Sequence, residues 1–169
     1  MNLLKVIKDS DIGESFIPEV SQERGSARAV IFDEDNKIAL LHVVNKNYHK
    51  LPGGGMEKGE NIIEALKREA KEEIGCEIDD IQELGIIEEF RGKYKLHQLS
   101  HCFLAKIIGG KGEPNFEEDE ILDGFIPLWV TLDEAIDIIK RENYVEDYEG
   151  KFIVIRDLEI LQRVKDRLS

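Results

Sequence analysis

The alternation of apolar and polar positions divides this chain into short elements. Ser26 to Asp33 (SARAVIFD) reads as a strand, Asp33-Glu34-Asp35-Asn36 as a turn and Lys37 to Val44 (KIALLHVV) as a second strand, together a hairpin. A glycine-rich turn follows at Gly53-Gly54-Gly55, and Glu60 to Ile74 reads as a helix ended by Gly75. Two β-type stretches come next, near Glu83 to Phe90 and Leu96 to Ile108, then an acidic loop from Gly109 to Asp123. A strand near Phe125 to Val130 leads into a helix that Thr131 would cap, and a last helix is expected from about Phe152 to Leu168. With no repeat, low-complexity tract or linker, residues 1–169 are expected to form a single domain. Strands and helices in this order predict an α/β fold, a mixed sheet covered by helices on both faces.

The helix after the glycines carries the chemistry. At about 100° per residue, Ile62, Ile63, Leu66, Ala70 and Ile74 share the side that should face the core. Glu69, Glu72 and Glu73 stand at helical spacing on a neighbouring face, with Glu73 at the edge of the apolar stripe. Among their helical neighbours only Arg68 is cationic. A merely solvated face would usually alternate signs, so three partly desolvated acids call for a cation. Oxygen-only ligands favour a hard ion, Mg²⁺ or Mn²⁺. The preceding glycines add to this, because they let backbone approach a ligand closely and offer carbonyls as further hard ligands.

Glutamates and glycines together match a gapped pattern. Gly54 is followed after five residues by Glu60, and after seven more by Arg68-Glu69-Ala70-Lys71-Glu72-Glu73-Ile74-Gly75-Cys76. This resembles the Nudix box of the MutT-like hydrolases in every fixed letter, with Ala70 and Cys76 at its two bulky apolar positions, so the box spans 54–76. Leu51-Pro52-Gly53-Gly54 resembles the usual lead-in, and Trp129 with Leu132-Asp133-Glu134-Ala135 looks like the family's closing strand and helix. The likeness runs from Ser26 to Lys140.

The resemblance implies a Nudix-type α/β/α sandwich whose box is a loop–helix–loop holding divalent metal against a diphosphate. By position, Glu69, Glu72 and Glu73 look like the metal-binding carboxylates, the carbonyl of Gly53 like a further ligand, and Glu57 like one acting directly or through water. Arg68 resembles the residue that orients the box glutamates, and Glu60 looks structural. The implied activity is metal-assisted water attack on phosphorus in a nucleoside diphosphate derivative or triphosphate. The alternative is a silent Nudix-fold nucleotide-binding or regulatory module. The general base in this family comes from the box, where Glu73 is the candidate, or from a later loop, where Glu118 and Glu120 are.

Substrate choice is faintly written. No proline stands near Gly92, where the ADP-ribose class carries one, whereas Tyr94 occupies the place of a tyrosine associated with dinucleoside polyphosphates. Tyr94 serves equally as strand packing, and Lys93, Lys95, Arg28 and His42 receive no assignment. The formal net charge of −13 disfavours a protein that grips a nucleic-acid backbone and leaves a small nucleotide reached through a cation. No apolar run is long enough for a membrane span. Charges interrupt Met1 to Asp9, and Cys76 and Cys102 have no metal-type spacing, so a reduced, cytoplasmic setting is expected. Whether the chain forms a homodimer is left open.

Overall fold

The computed structural model describes residues 1–169. In chain order the elements are β1 (Leu3–Lys8), β2 (Gln22–Phe32), β3 (Lys37–Val43), β4 (Tyr48–Lys50), β5 (Gly53–Gly55), α1 (Ile62–Ile74), β6 (Glu77–Arg91), β7 (Leu96–Ile108), α2 (Glu118–Asp123), β8 (Phe125–Thr131), α3 (Leu132–Lys140) and α4 (Tyr148–Leu168). The sheet runs β1-β6-β7-β2-β3-β4, with β5 added to β2 and β8 to β3. It is mixed, since β1 runs parallel to β6 and β2 parallel to β7 while the other pairs are antiparallel.

One pairing positions the site. β2 and β3 are registered only at Phe32 and Ile38, next to their connecting turn. The far part of β2 is thereby open on that side, and β5 fills it, with Arg28 opposite Gly53, Ala27 opposite Gly54 and Ser26 opposite Gly55. The glycines expected as a turn are therefore a short strand.

Alternation along β2 divides the interior into two cores. Ala27, Ala29 and Ile31 face α1, where they meet Leu66, Ala70 and Ile74. Val30 faces the other way, onto a core with Ile136 and Ile139 of α3 and Phe152, Ile160 and Leu161 of α4. Helices thus cover both faces, as the chain order predicted. Each fully buried Leu or Ile here contributes about 1.5–3 kcal/mol. The alanines on the α1 side leave little standing between helix and sheet.

Several boundaries differ from the sequence expectations. α1 begins after Asn61, whose side chain accepts from the Glu64 N–H at 2.9 Å while Glu64 accepts from the Asn61 N–H, so Glu60 lies outside the helix. α4 begins at Tyr148 rather than Phe152, because Asp147 caps it through the Gly150 N–H at 2.8 Å. The stretch expected as an acidic loop ends in a helix, α2. β1 closes one edge of the sheet, and the Tyr148 hydroxyl donates to Asp9 at 2.5 Å, tying the N-terminal region to α4. No helix is long and apolar enough to cross a membrane.

Candidate active site

Two elements frame the site, β5 and the face of α1 that looks onto it. Glu73 is wholly buried rather than at the edge of the apolar stripe. Its Oε1 accepts from the Gly53 N–H at 2.7 Å, and its Oε2 accepts from the Lys50 ammonium at 3.2 Å. Lys50 also donates to the Gly53 carbonyl at 3.3 Å. Burial pushes the Glu73 carboxyl up, against the pull of Lys50 and the Gly53 N–H.

Arg68 is the hub of the other carboxylates. It donates to Glu60 at 2.5 and 3.1 Å, to Glu69 at 2.9 Å, to Glu72 at 3.2 Å and to the Gly55 carbonyl at 3.0 Å. Glu57, which is exposed, lies 3.8 Å from the same guanidinium. Glu60 holds its own loop as well, accepting from the Glu57 N–H at 2.8 Å. Its pairing with Arg68 keeps the Glu60 carboxyl below the usual range, whereas burial and the nearby Glu69 charge raise Glu72.

Glycine is needed at two places for different reasons. Gly53 has φ +141°, and a Cβ there would run into the Ala27 carbonyl. Gly54 has an ordinary φ, but a Cβ would stand 2.6 Å from the Glu69 carboxyl carbon.

α2 brings the third side. Glu120 is half-buried and its ligand oxygen lies with those of Glu69 and Glu73, all within 4.8 Å of one another. Its carboxyl is raised, first by burial. Glu118, two residues earlier and on the opposite side of the same helix, is exposed. Of the residues expected from sequence, the structure gathers Gly53, Arg68, Glu69, Glu72, Glu73 and Glu120, keeps Glu57 at the rim and leaves Glu118 in solvent. Tyr94 lies in the turn between β6 and β7, 43% exposed, edge-to-face with Tyr148 at 5.3 Å. Lys50 escaped the sequence reading. Its only signal is a lysine between aromatic and apolar residues directly before Leu51-Pro52.

The donor set suits a hard divalent ion. Six carboxylates (Glu57, Glu60, Glu69, Glu72, Glu73, Glu120) gather around two cations, Arg68 and Lys50, which leaves an uncompensated negative charge. Every free ligand atom is oxygen, and the glycine backbone approaches without side chains in the way.

Comparison with known proteins agrees with this geometry. Residues 22–152 match the family model described as the NUDIX domain. A methanol dehydrogenase activator from Bacillus methanolicus is 26% identical over 161 residues, covering 92% of this chain and 83% of that protein. An ADP-ribose pyrophosphatase from Methanocaldococcus jannaschii is 36% identical over 98 residues, 55% of this chain and 58% of that protein. An RNA pyrophosphohydrolase from Pelagibacter ubique is 27% identical over 139 residues, 69% of this chain and 81% of that protein. Among solved structures, a NUDIX hydrolase from Nitrosomonas europaea aligns with a TM-score of 0.62 at 21% identity, covering 86% of this chain and 88% of that one. The mutator MutT protein of Bacillus halodurans aligns with a TM-score of 0.55 at 23% identity, covering 72% and 78%. At these identities the structural likeness speaks for the fold.

Proposed function

The chain belongs to the Nudix family, and from that premise we propose that it is a pyrophosphohydrolase which cleaves the diphosphate linkage of a small nucleotide-type substrate with the help of Mg²⁺ or Mn²⁺. The observation that carries this reading is the seat of the Glu69 and Glu73 carboxylates beside the Gly53 backbone, with a further carboxylate, that of Glu120, brought within 4.8 Å of both. Glu69, Glu72, Glu73 and the Gly53 carbonyl would hold the cation, and Glu57 would join from the rim, directly or through water. The chemistry supplied by a divalent cation bound there would be neutralisation of the diphosphate and a lowered pKa of the attacking water.

The protein's own groups do the rest. Arg68 fixes Glu69 and Glu72 in one orientation, and Glu60 fixes Arg68. Glu120 is the favoured general base over Glu118, because it alone of the two lies among the box carboxylates. Its carboxylate takes a proton from the attacking water. The new bond runs from water oxygen to phosphorus, the bridging P–O bond breaks, and the leaving phosphate keeps the electron pair. The products are two phosphate-bearing molecules, or a monophosphate and pyrophosphate.

The test is the appearance of nucleoside monophosphate, sugar phosphate or pyrophosphate, separated by chromatography, from a panel of ADP-ribose, nucleoside triphosphates and dinucleoside polyphosphates, with and without Mg²⁺. Turnover is expected only with the metal. Glu72→Gln and Glu73→Gln should each lower kcat by roughly two orders of magnitude or more with circular dichroism unchanged, because metal catalysis contributes several kcal/mol. Wild-type turnover in Glu72→Gln would sink the metal assignment. A regulatory reading draws on one observation, the name of the Bacillus methanolicus relative, an activator matched over 92% of this chain. Absence of turnover across the panel, with Mg²⁺ still bound, would favour that second reading.

A further inference from the structure

We infer that Lys50 is a built-in counter-cation of the site: its ammonium holds the Glu73 carboxylate and the Gly53 carbonyl before a metal arrives, and competes with the metal for both. The inference rests on the reading of Glu73 and Gly53 as metal ligands.

Lys50 is the last residue of β4 and registers with Leu41 of β3. Tyr48 and Lys50 point inward on this strand while His49 is half-buried, so the alternation of a three-residue strand drives a lysine into the interior. Only 8% of the residue is exposed. A buried ammonium needs partners, and this one has three. It donates to Glu73 Oε2 at 3.2 Å and to the Gly53 carbonyl at 3.3 Å, and it lies 5.0 Å from the centre of the Phe125 ring.

These contacts close a ring. Gly53 gives its N–H to Glu73 and its carbonyl to Lys50, and Lys50 returns to Glu73. The backbone of Gly53 is thereby fixed at both its polar groups, with its carbonyl turned toward the ammonium. Both oxygens that Lys50 contacts belong to the set assigned to the cation, and no arginine touches either of them. Arg68 serves Glu60, Glu69 and Glu72 instead. Arg68 and Lys50 therefore divide the carboxylates between them by direct contact, and Lys50 is the cation that hydrogen-bonds the buried one, with the Arg28 charge acting on it from farther away. A lysine suits a guard that must yield, because it is a point charge on a flexible stem rather than a rigid fork. Since it acts through Glu73 and Gly53, Lys50 is a positioning residue.

The two roles oppose each other. Without metal, removing the ammonium takes from buried Glu73 the one cation in direct contact with it, which destabilises the fold. With metal, removing it takes away a like charge and a rival for the same oxygens, which tightens binding. A purely structural lysine would produce the first effect and not the second.

Mn²⁺ binding followed by electron paramagnetic resonance, with thermal unfolding measured in parallel, separates these cases. Lys50→Met keeps the apolar stem and removes the charge, and Lys50→Gln keeps a donor without the charge in case the first variant folds poorly. Both are expected to bind Mn²⁺ roughly tenfold more tightly than the wild type. Their metal-free Tm should be lower, and the rise in Tm on adding Mn²⁺ larger. Affinity unchanged or weakened in the better-folded variant would overturn the inference while leaving the metal reading intact. A wild-type protein that binds no Mn²⁺ would overturn both.

Discussion

Room for one methyl group at Gly54 decides where the Glu69 carboxylate can stand. The backbone there would accept any residue, so the requirement is steric: an alanine Cβ would fall 2.6 Å from the Glu69 carboxyl carbon. Glu69 cannot simply swing aside, because Arg68 holds it at 2.9 Å and also spans Glu60 and Glu72. Gly54→Ala is therefore expected to displace the carboxylate, disturb the whole Arg68 cluster and lower kcat/KM by on the order of 10²-fold, the usual cost of a misplacement of about 1 Å. Steady-state kinetics alongside circular dichroism would check this. Wild-type kinetics would mean that Glu69 does not need its present position. Much of this site was legible residue by residue, since the gapped pattern of glycines and glutamates and its resemblance to the Nudix box singled out Arg68, Glu69, Glu72 and Glu73. Complete burial of Glu73 was not, because a helical projection places it at the margin of the apolar stripe. What buries it is the close seat of α1 on Ala27 and Ala29, a feature of the neighbouring strand.

At the scale of elements, the acidic stretch before β8 is the informative case. It read as a loop because its charges carry no apolar period of helical length. Local capping overrides that pattern: the Glu117 N–H donates to Glu120 at 2.9 Å, Gly124 ends the turn with φ +74°, and the six residues of α2 close between them. Anchors outside the element fix its orientation. Lys46 pairs with Asp123 at 3.2 Å and Asn45 donates to the Leu122 carbonyl at 2.6 Å, both from the connection between β3 and β4. None of those partners is near in sequence, so no local reading could choose between Glu118 and Glu120. The helix sets them apart in space, with Glu118 in solvent and Glu120 among Glu69 and Glu73. Glu120→Gln is accordingly expected to lower kcat by about 10²- to 10⁴-fold, the range for general acid–base catalysis. Mn²⁺ affinity should change little, and the acidic limb of the pH–rate profile should flatten. Glu118→Gln should behave as the wild type. Equal losses in both variants, or a large loss of Mn²⁺ affinity in Glu120→Gln alone, would count against Glu120 as the base.

On the scale of the whole molecule, α4 and the long strands are joined by a second buried charge cluster that lies outside the box. Glu89 of β6 is fully buried and accepts from Arg91 at 2.8 Å, Gln98 at 2.7 Å and Ser100 at 2.8 Å, with Arg156 of α4 at 3.5 Å. Arg156 pairs in turn with Asp157 at 2.7 Å, and Asp157 accepts from the Leu51 N–H at 2.7 Å, directly beside the glycines of the site. The cluster thus links the C-terminal helix to the backbone between β4 and β5, just ahead of the site's glycines. Burial alone would raise the Glu89 carboxyl, but Arg91 and Arg156 outweigh it and bring it down to about 2 from an ordinary 4.5. The sign of the linkage follows. Below its unfolded pKa the unfolded chain binds a proton that the folded protein refuses, so Glu89 contributes stability above about pH 4.5 that is lost as pH falls toward 2. Glu89→Gln should remove that acid-range contribution, so its stability should fall less steeply with pH over this range. At neutral pH the same variant should be less stable by about 3–5 kcal/mol, because Arg91 and Arg156 remain buried without their shared carboxylate. Urea unfolding of both proteins at neutral pH and at several points down the acid range measures the two effects together. A variant as stable as the wild type at neutral pH, or one whose acid slope is unchanged, would show that other carboxylates carry the acid sensitivity and that the two arginines are satisfied without Glu89.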